Sequence, residues 1–300
     1  MRVENKGLRP LLLLFPARSG STLLMQLLGT SPKIVFDRVP PFEQRFFALL
    51  MRWAWQLADA QLQSDEWTLD RLITEPAFPG NPIEPPPFAM PAGFASDSPQ
   101  PLWHTSFLTA WREFSLRASS SEISCPGRDP APLYYAEKSR ALFRYSLQDV
   151  GIEPEVIYLL RDPRDVQQSI FSFNEKRGTK YFSAVDGESA EAFAYKFIEE
   201  RKLRLRMLIE MVPDDPHATI VRYEDMATDL PLVARRLSDK LGVALDAQQV
   251  LDQQREFRDH MSSADPEASV QRWRREMPEN IQQMFRQRLG DELEQLGYEV

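Results

Sequence analysis

Between residues 11 and 29 the chain passes from one kind of structure to another with almost nothing in between. Leu11-Leu12-Leu13-Leu14-Phe15 is wholly apolar, the pattern of a strand buried on both faces of a parallel sheet. Thr22 to Gly29, Thr-Leu-Leu-Met-Gln-Leu-Leu-Gly, has helical spacing, with Gly29 placed as a C-cap. The link is the small-residue loop Pro16-Ala17-Arg18-Ser19-Gly20-Ser21. A strand, such a loop and a helix N-terminus make an anion cradle, because the loop amides point at the ligand and the helix dipole adds positive charge. Ser19, Ser21 and Thr22 offer hydroxyl donors beside Gly20, and Arg18 supplies a full charge on a bidentate fork.

This loop departs from the Walker A pattern GxxxxGK[ST]. Ser21 follows Gly20, no glycine stands five residues ahead of it, and the cation sits at Arg18. Further along, short apolar runs alternate with helical patterns, which predicts an α/β fold with a parallel sheet flanked by helices. Strands are expected at Lys33 to Phe36, Leu133 to Ala136, Glu155 to Leu160 and Thr219 to Tyr223. Helices are expected at Glu43 to Leu62, Ser139 to Val150, Pro163 to Lys176 and Glu188 to Met211, with a helical remainder. Residues 76–101 hold nine of the chain's 24 prolines. Proline removes backbone donors, so this is an irregular insertion: a surface loop, or a lid over an acceptor pocket with Phe78, Phe88, Phe94, Trp103 and Phe107 supplying apolar surface. The expectation is one domain over residues 1–300 with that insertion.

Composition narrows the function. A chain of 300 residues, 43% hydrophobic, can bury a core without staples, and its one cysteine, Cys125, excludes an intrachain disulfide. Three scattered histidines and no HExxH leave no metal centre to expect. The formal charge of −8 argues against nucleic acid as a partner. The apolar run at Leu8 to Phe15 is interrupted by Arg9 and Pro10 and is too short to span a bilayer. It also lacks a good signal-peptide cleavage site, so a cytoplasmic location is the expectation. Nothing in the sequence speaks to oligomeric state.

A second motif gives the first a partner. The strand Glu155 to Leu160 runs into Arg161-Asp162-Pro163-Arg164-Asp165, and Ser169 lies eight residues after Arg161. An arginine at the carboxyl end of a parallel strand sits where open α/β sheets bind ligands. The two loops together resemble those of the sulfotransferases that use 3′-phosphoadenosine 5′-phosphosulfate (PAPS). Pro16 to Thr22 is similar to the family's 5′-phosphosulfate loop, P-x-[KR]-S-G-[ST]-[ST], and Arg161 to Ser169 to its 3′-phosphate loop, R-[DN]-P-[RK]-D-x-x-x-S. Val221 to Met226, Arg272-Trp273-Arg274 and Leu296-Gly297-Tyr298 resemble segments of the family's bacterial-type members. The proline-rich insertion matches nothing in that pattern.

The resemblance implies a P-loop-like sulfotransferase fold and transfer of a sulfonyl group from PAPS to an acceptor hydroxyl or amine, releasing adenosine 3′,5′-bisphosphate without a metal. It implies Arg18, Ser19, Gly20, Ser21 and Thr22 at the 5′ end of the nucleotide, and Arg161 and Ser169 at the 3′-phosphate. Arg272 and Arg274 either close over that phosphate or solvate a helix. Arg18 would also stabilise charge on the leaving oxygen. The acceptor, a small-molecule or conjugated alcohol, must lose a proton to a base. Glu43 is the first candidate, with Asp37 and His104 as rivals. Lys138, in Glu137-Lys138-Ser139, resembles the family's E-K-[ST] segment and could contact the transferring group. Two other functions stay open on the residues: a P-loop kinase of a small molecule, and a non-catalytic nucleotide-binding module.

Overall fold

The computed structural model describes residues 7–43, 45–47, 49–50, 100–119, 132–139, 141–178, 181–182, 184–253 and 266–300. Residues 76–99 of the expected 76–101 insertion, and the part of the expected 43–62 helix beyond residue 50, lie outside them. The chain divides into two compact units.

The larger unit comprises Pro10–Glu43, Tyr134–Arg140 and Glu155–Val300. It is built on strands β1 (Arg9–Leu14), β2 (Ile34–Val35), β3 (Tyr134–Ser139), β4 (Glu155–Leu160) and β5 (Ala218–Arg222), ordered β2-β3-β1-β4-β5. β1 pairs with β4, β4 with β5 and β2 with β3, each in parallel. Each expected strand is present, and β4 has the expected bounds. Tyr223, expected to end the last strand, instead opens a helix.

The leucines of β1 are all buried, and successive ones face opposite sides of the sheet. Leu11 and Leu13, with Ile157 and Leu159 of β4, join one core with helix α1 (Ser21–Gly29) and helices α6 (Tyr223–Thr228), α7 (Leu230–Leu241) and α8 (Ala247–Gln253). Leu160 joins a second core with α4 (Pro163–Arg177), α5 (Ala190–Met211), α9 (Trp273–Glu276) and α10 (Glu279–Gln295). Helices on both faces leave the carboxyl ends of β1 and β4 side by side at the sheet edge. That is where the sequence puts its two charged loops.

The smaller unit comprises Met1–Arg9, Gln44–Leu133 and Ala141–Pro154. It contains helices α2 (Gln100–Ser119) and α3 (Ala141–Asp149). Helix α2 was not expected: the proline cluster hid its start, although Pro101 stands where proline opens a helix. Its Phe107 and Trp111 are buried, Trp111 lies 4.7 Å from Phe47, and Phe114 stacks on Phe46 at 4.0 Å. The aromatic positions of 46, 47 and 107 thus form a core within this unit.

Gly20 illustrates how closely the first loop is packed. It takes the left-handed conformation, φ 92°, just before α1, and a Cβ there would overlap the ring of Tyr223. Gly20→Ala therefore combines backbone strain of about 1–3 kcal/mol with overpacking of similar size. A drop in denaturation midpoint of several degrees is expected; an unchanged midpoint would show that the loop and Tyr223 can separate without cost.

Candidate active site

The first loop leaves β1 and enters α1, which has no side-chain N-cap and no acidic residue in its first turn. The amides of that turn are therefore available to an anion. The fully buried Ser19 donates its hydroxyl to the Pro16 carbonyl at 2.7 Å. Its side chain closes the loop, leaving its backbone N–H as what it can offer a ligand. Arg18 has a left-handed backbone, φ 65°, and its Nε donates to Ser169 Oγ at 3.2 Å. Its guanidinium lies 4.7 Å over the Phe173 ring.

The second loop meets the first directly. Arg161, buried at the end of β4, donates from Nη1 to the Arg18 carbonyl at 2.9 Å and from Nη2 to the Ser269 carbonyl at 3.1 Å. It stacks 4.0 Å over Tyr223, whose hydroxyl shares a 2.8 Å hydrogen bond with Ser269 Oγ. Its Nε is buried and has no partner among the described residues. Burial, and then the positive charge of Arg161, bring the Arg18 guanidinium down to about 10 from 12.5. Among the described residues no carboxylate forms an ion pair with either arginine, so their charges are available to an anion.

The remainder of Arg161-Asp162-Pro163-Arg164-Asp165 is structural. Asp162 caps α4, accepting from the Arg164 amide at 2.9 Å, and pairs with the Arg164 guanidinium at 2.8 Å. Arg164 in turn lies 3.8 Å over Trp273. Asp165 accepts from the amides of Gln271 and Trp273, at 2.8 and 2.9 Å, and so ties the segment after Ser269 to α4. Arg272 of that segment reaches Ser172, one helical turn beyond Ser169, and Glu276. Arg274 goes elsewhere, pairing with Glu299. Only Arg272 of the two is therefore drawn towards the helix that carries Ser169.

Burial, with Asp162 nearby, pushes the Asp165 carboxyl up to about 6 from 3.8. Because the folded value is the higher one, the native state holds this proton more tightly, and stability falls as pH rises from about 4 to about 6. In stability–pH curves, subtracting Asp165→Asn from wild type should leave a downward slope in that window. A flat difference would mean the carboxyl titrates normally.

Lys138 forms a second cluster. This lysine is fully buried on β3; its Nζ donates to Thr22 Oγ1 at 3.3 Å and to the Pro41 carbonyl at 2.6 Å, and stands 3.7 Å from Glu43 Oε1. The Glu43 side chain is about half exposed, at 48%. Three expected site residues from distant parts of the chain thus converge at the start of α1. Asp37 instead closes a turn, accepting from the Val39 amide at 3.1 Å. His104 falls on α2, and its side chain is outside the described residues. Sequence reasoning passed over Ser269, Phe173 and the cap role of Asp162. An Asp-Pro at a strand-to-helix junction was the signal for the last of these.

A model of the sulfotransferase family matches residues 10–247, which contain both loops and Lys138. The chain belongs to the sulfotransferase family. No curated protein matches it in sequence. Among solved structures, the sulfotransferase domain of the Synechococcus PCC 7002 olefin synthase is 17% identical with a TM-score of 0.51, covering 100% of this chain and 98% of that one. The sulfotransferase domain from the curacin biosynthetic pathway is also 17% identical, with a TM-score of 0.46 and coverage of 98% and 99%. Mouse sulfotransferase SULT7A1 complexed with PAP is 10% identical, with a TM-score of 0.49 and coverage of 95% and 85%. At this identity the likeness to the olefin synthase domain concerns fold, and this sulfotransferase shares its P-loop-like α/β architecture.

Proposed function

We propose that this sulfotransferase transfers the sulfonyl group of PAPS to an acceptor hydroxyl or amine and releases adenosine 3′,5′-bisphosphate. The observation that carries the reading is the pairing of Arg18 and Arg161 across the carboxyl edge of β1 and β4. A nucleotide with phosphates at both ends of its ribose needs two cationic grips a short distance apart. The Arg161 Nε, without a partner among the described residues, and the uncapped start of α1 supply the donors for it.

Each residue then has work suited to its surroundings. Arg161, Ser169 and Arg272 hold the 3′-phosphate, and the amides of Ser19 to Thr22 hold the 5′-phosphosulfate. As the sulfur–oxygen bond breaks, charge grows on the departing phosphate oxygen, where Arg18 and the α1 dipole stabilise it. Lys138, fixed by Thr22 and Pro41, faces the transferring group. Glu43, exposed enough to meet an acceptor, takes the acceptor proton.

The test is nucleotide discrimination. Adenosine 3′,5′-bisphosphate should bind more tightly than 5′-AMP by on the order of 2–3 kcal/mol, the worth of a buried charge-assisted contact. Equal thermal stabilisation by the two nucleotides would remove the 3′-phosphate site from the reading. Turnover of PAPS that demanded magnesium and succeeded equally with ATP would favour a kinase.

A further inference from the structure

Helix α5 carries an apolar stripe with one member out of character. Phe193, Phe197, Arg201 and Leu205 recur at intervals of four, so they share one face, and all four are buried. Arg201 is only 7% exposed, and its Nε and Nη1 are buried without a partner among the described residues. Its neighbours are satisfied: Lys196 pairs with Glu188 at 2.5 Å, and Arg204 with Glu200 at 2.6 Å. Glu200 adjoins Arg201 in sequence but spends its hydrogen bond on Arg204. Burial, opposed by Glu200 and reinforced by Arg204, holds the Arg201 guanidinium down to about 10 from 12.5. A buried cation whose donors are unmet is costly unless something anionic completes it.

Arg201 lines a cavity of roughly 240 Å³ together with Ala17, Phe182, Phe193 and Phe197, and with the ion-paired Lys196, Glu200 and Arg204. Ala17 belongs to the first loop and immediately precedes Arg18. A chain of aromatic contacts makes the same connection: Arg18 lies over Phe173, and Phe173 meets Phe182 edge-on at 5.5 Å. Asn174 secures that corner by bonding both the amide and the carbonyl of Tyr181. Phe193 and Phe197 stack at 5.8 Å, and Arg201 sits 4.6 Å over Phe197. The cavity is therefore walled by three phenylalanines and by the charged side chains of α5, it reaches the first loop at Ala17, and Arg201 is the lining cation whose donors are unmet among the described residues. It is smaller than a typical whole-ligand pocket, so it holds part of a molecule.

We infer that this cavity is an acceptor subsite for a small apolar or aromatic body bearing a carboxylate, sulfate or phosphate, with the anionic group seated on Arg201. The inference rests on the sulfotransferase reading for the word acceptor and on the cavity alone for the anion. It gives the acceptor a polarity: its anion points to α5 and its nucleophile towards Arg18.

A matched pair of probes tests it on the full chain saturated with adenosine 3′,5′-bisphosphate. Binding of 4-hydroxyphenylpropionate and of 4-propylphenol is measured by calorimetry in wild type, Arg201→Met and Arg201→Lys, with inorganic sulfate as a third probe. The acid should bind wild type at least tenfold more tightly than the phenol. Arg201→Met should erase that preference, and Arg201→Lys should restore part of it, so a misfolded methionine variant does not blunt the test. Sulfate should compete with the acid. Equal binding of acid and phenol, no binding of either, or a preference that survives Arg201→Met would overturn the subsite. So would loss of bisphosphate binding in both variants, which would assign Arg201 to the nucleotide. If wild type fails to bind bisphosphate, the donor reading falls; repeating the probe measurements without nucleotide then still decides the anion site.

Discussion

Glu43→Gln should lower turnover by roughly 10²–10⁴, the usual worth of a positioned general base, while bisphosphate affinity stays nearly unchanged. The separation follows from where the carboxylate sits. Glu43 Oε1 is 3.7 Å from Lys138 Nζ, and that ammonium is anchored on Thr22 and Pro41. The carboxylate is therefore held by the lysine at the start of α1, and in this reading it faces the acceptor and not the nucleotide. Glutamine keeps the size, but it gives up the charge that faces Lys138 and cannot accept the proton. Asp37→Asn should act mainly through the turn it closes with Val39, reducing stability modestly and turnover little. Measured at saturating PAPS with one working acceptor, wild-type turnover in Glu43→Gln together with its loss in Asp37→Asn or His104→Ala would move the base to another residue.

Arg18→Ala should damage binding and chemistry together. The same guanidinium meets the ground-state phosphosulfate and the charge that develops on the leaving oxygen, and removing one such donor typically costs about 10²–10³ in turnover. It also removes the Ser169 contact, while the backbone carbonyl that Arg161 Nη1 meets remains. Arg161→Ala makes a useful contrast. In this reading its charge and its unmet Nε serve the 3′-phosphate, remote from the breaking bond, so saturating PAPS should recover much of the rate. Full recovery of turnover in Arg18→Ala at saturating PAPS would restrict that arginine to binding.

The two loops were legible because each is a local pattern. An apolar run, small residues and a helical stripe specify strand, cradle and helix within 19 residues, from Leu11 to Gly29. Asp162-Pro163 likewise marks the start of α4 without help from elsewhere. Helix α2 was missed for the corresponding reason, since the prolines before it carry a stronger local signal than its opening turn does.

What the sequence by itself determined, then, is the parallel α/β plan and the identity of the cations at two strand ends. Tertiary structure decided which of those cations meet. Arg18 finds Ser169 across 151 positions, Lys138 finds Thr22 across 116, and Arg161 grips the Arg18 carbonyl across 143. It also sent Arg274 to Glu299 while Arg272 turned to Ser172. Arg201 shows the difference most clearly. In sequence it belongs to a charged run, Glu199-Glu200-Arg201-Lys202, that says nothing of a partner. Packing alone turns it inward, because the face of α5 that carries Phe193 and Phe197 is the face the second core covers. A side chain's charge is written in the chain, but whether anything satisfies that charge depends on neighbours that only folding brings near.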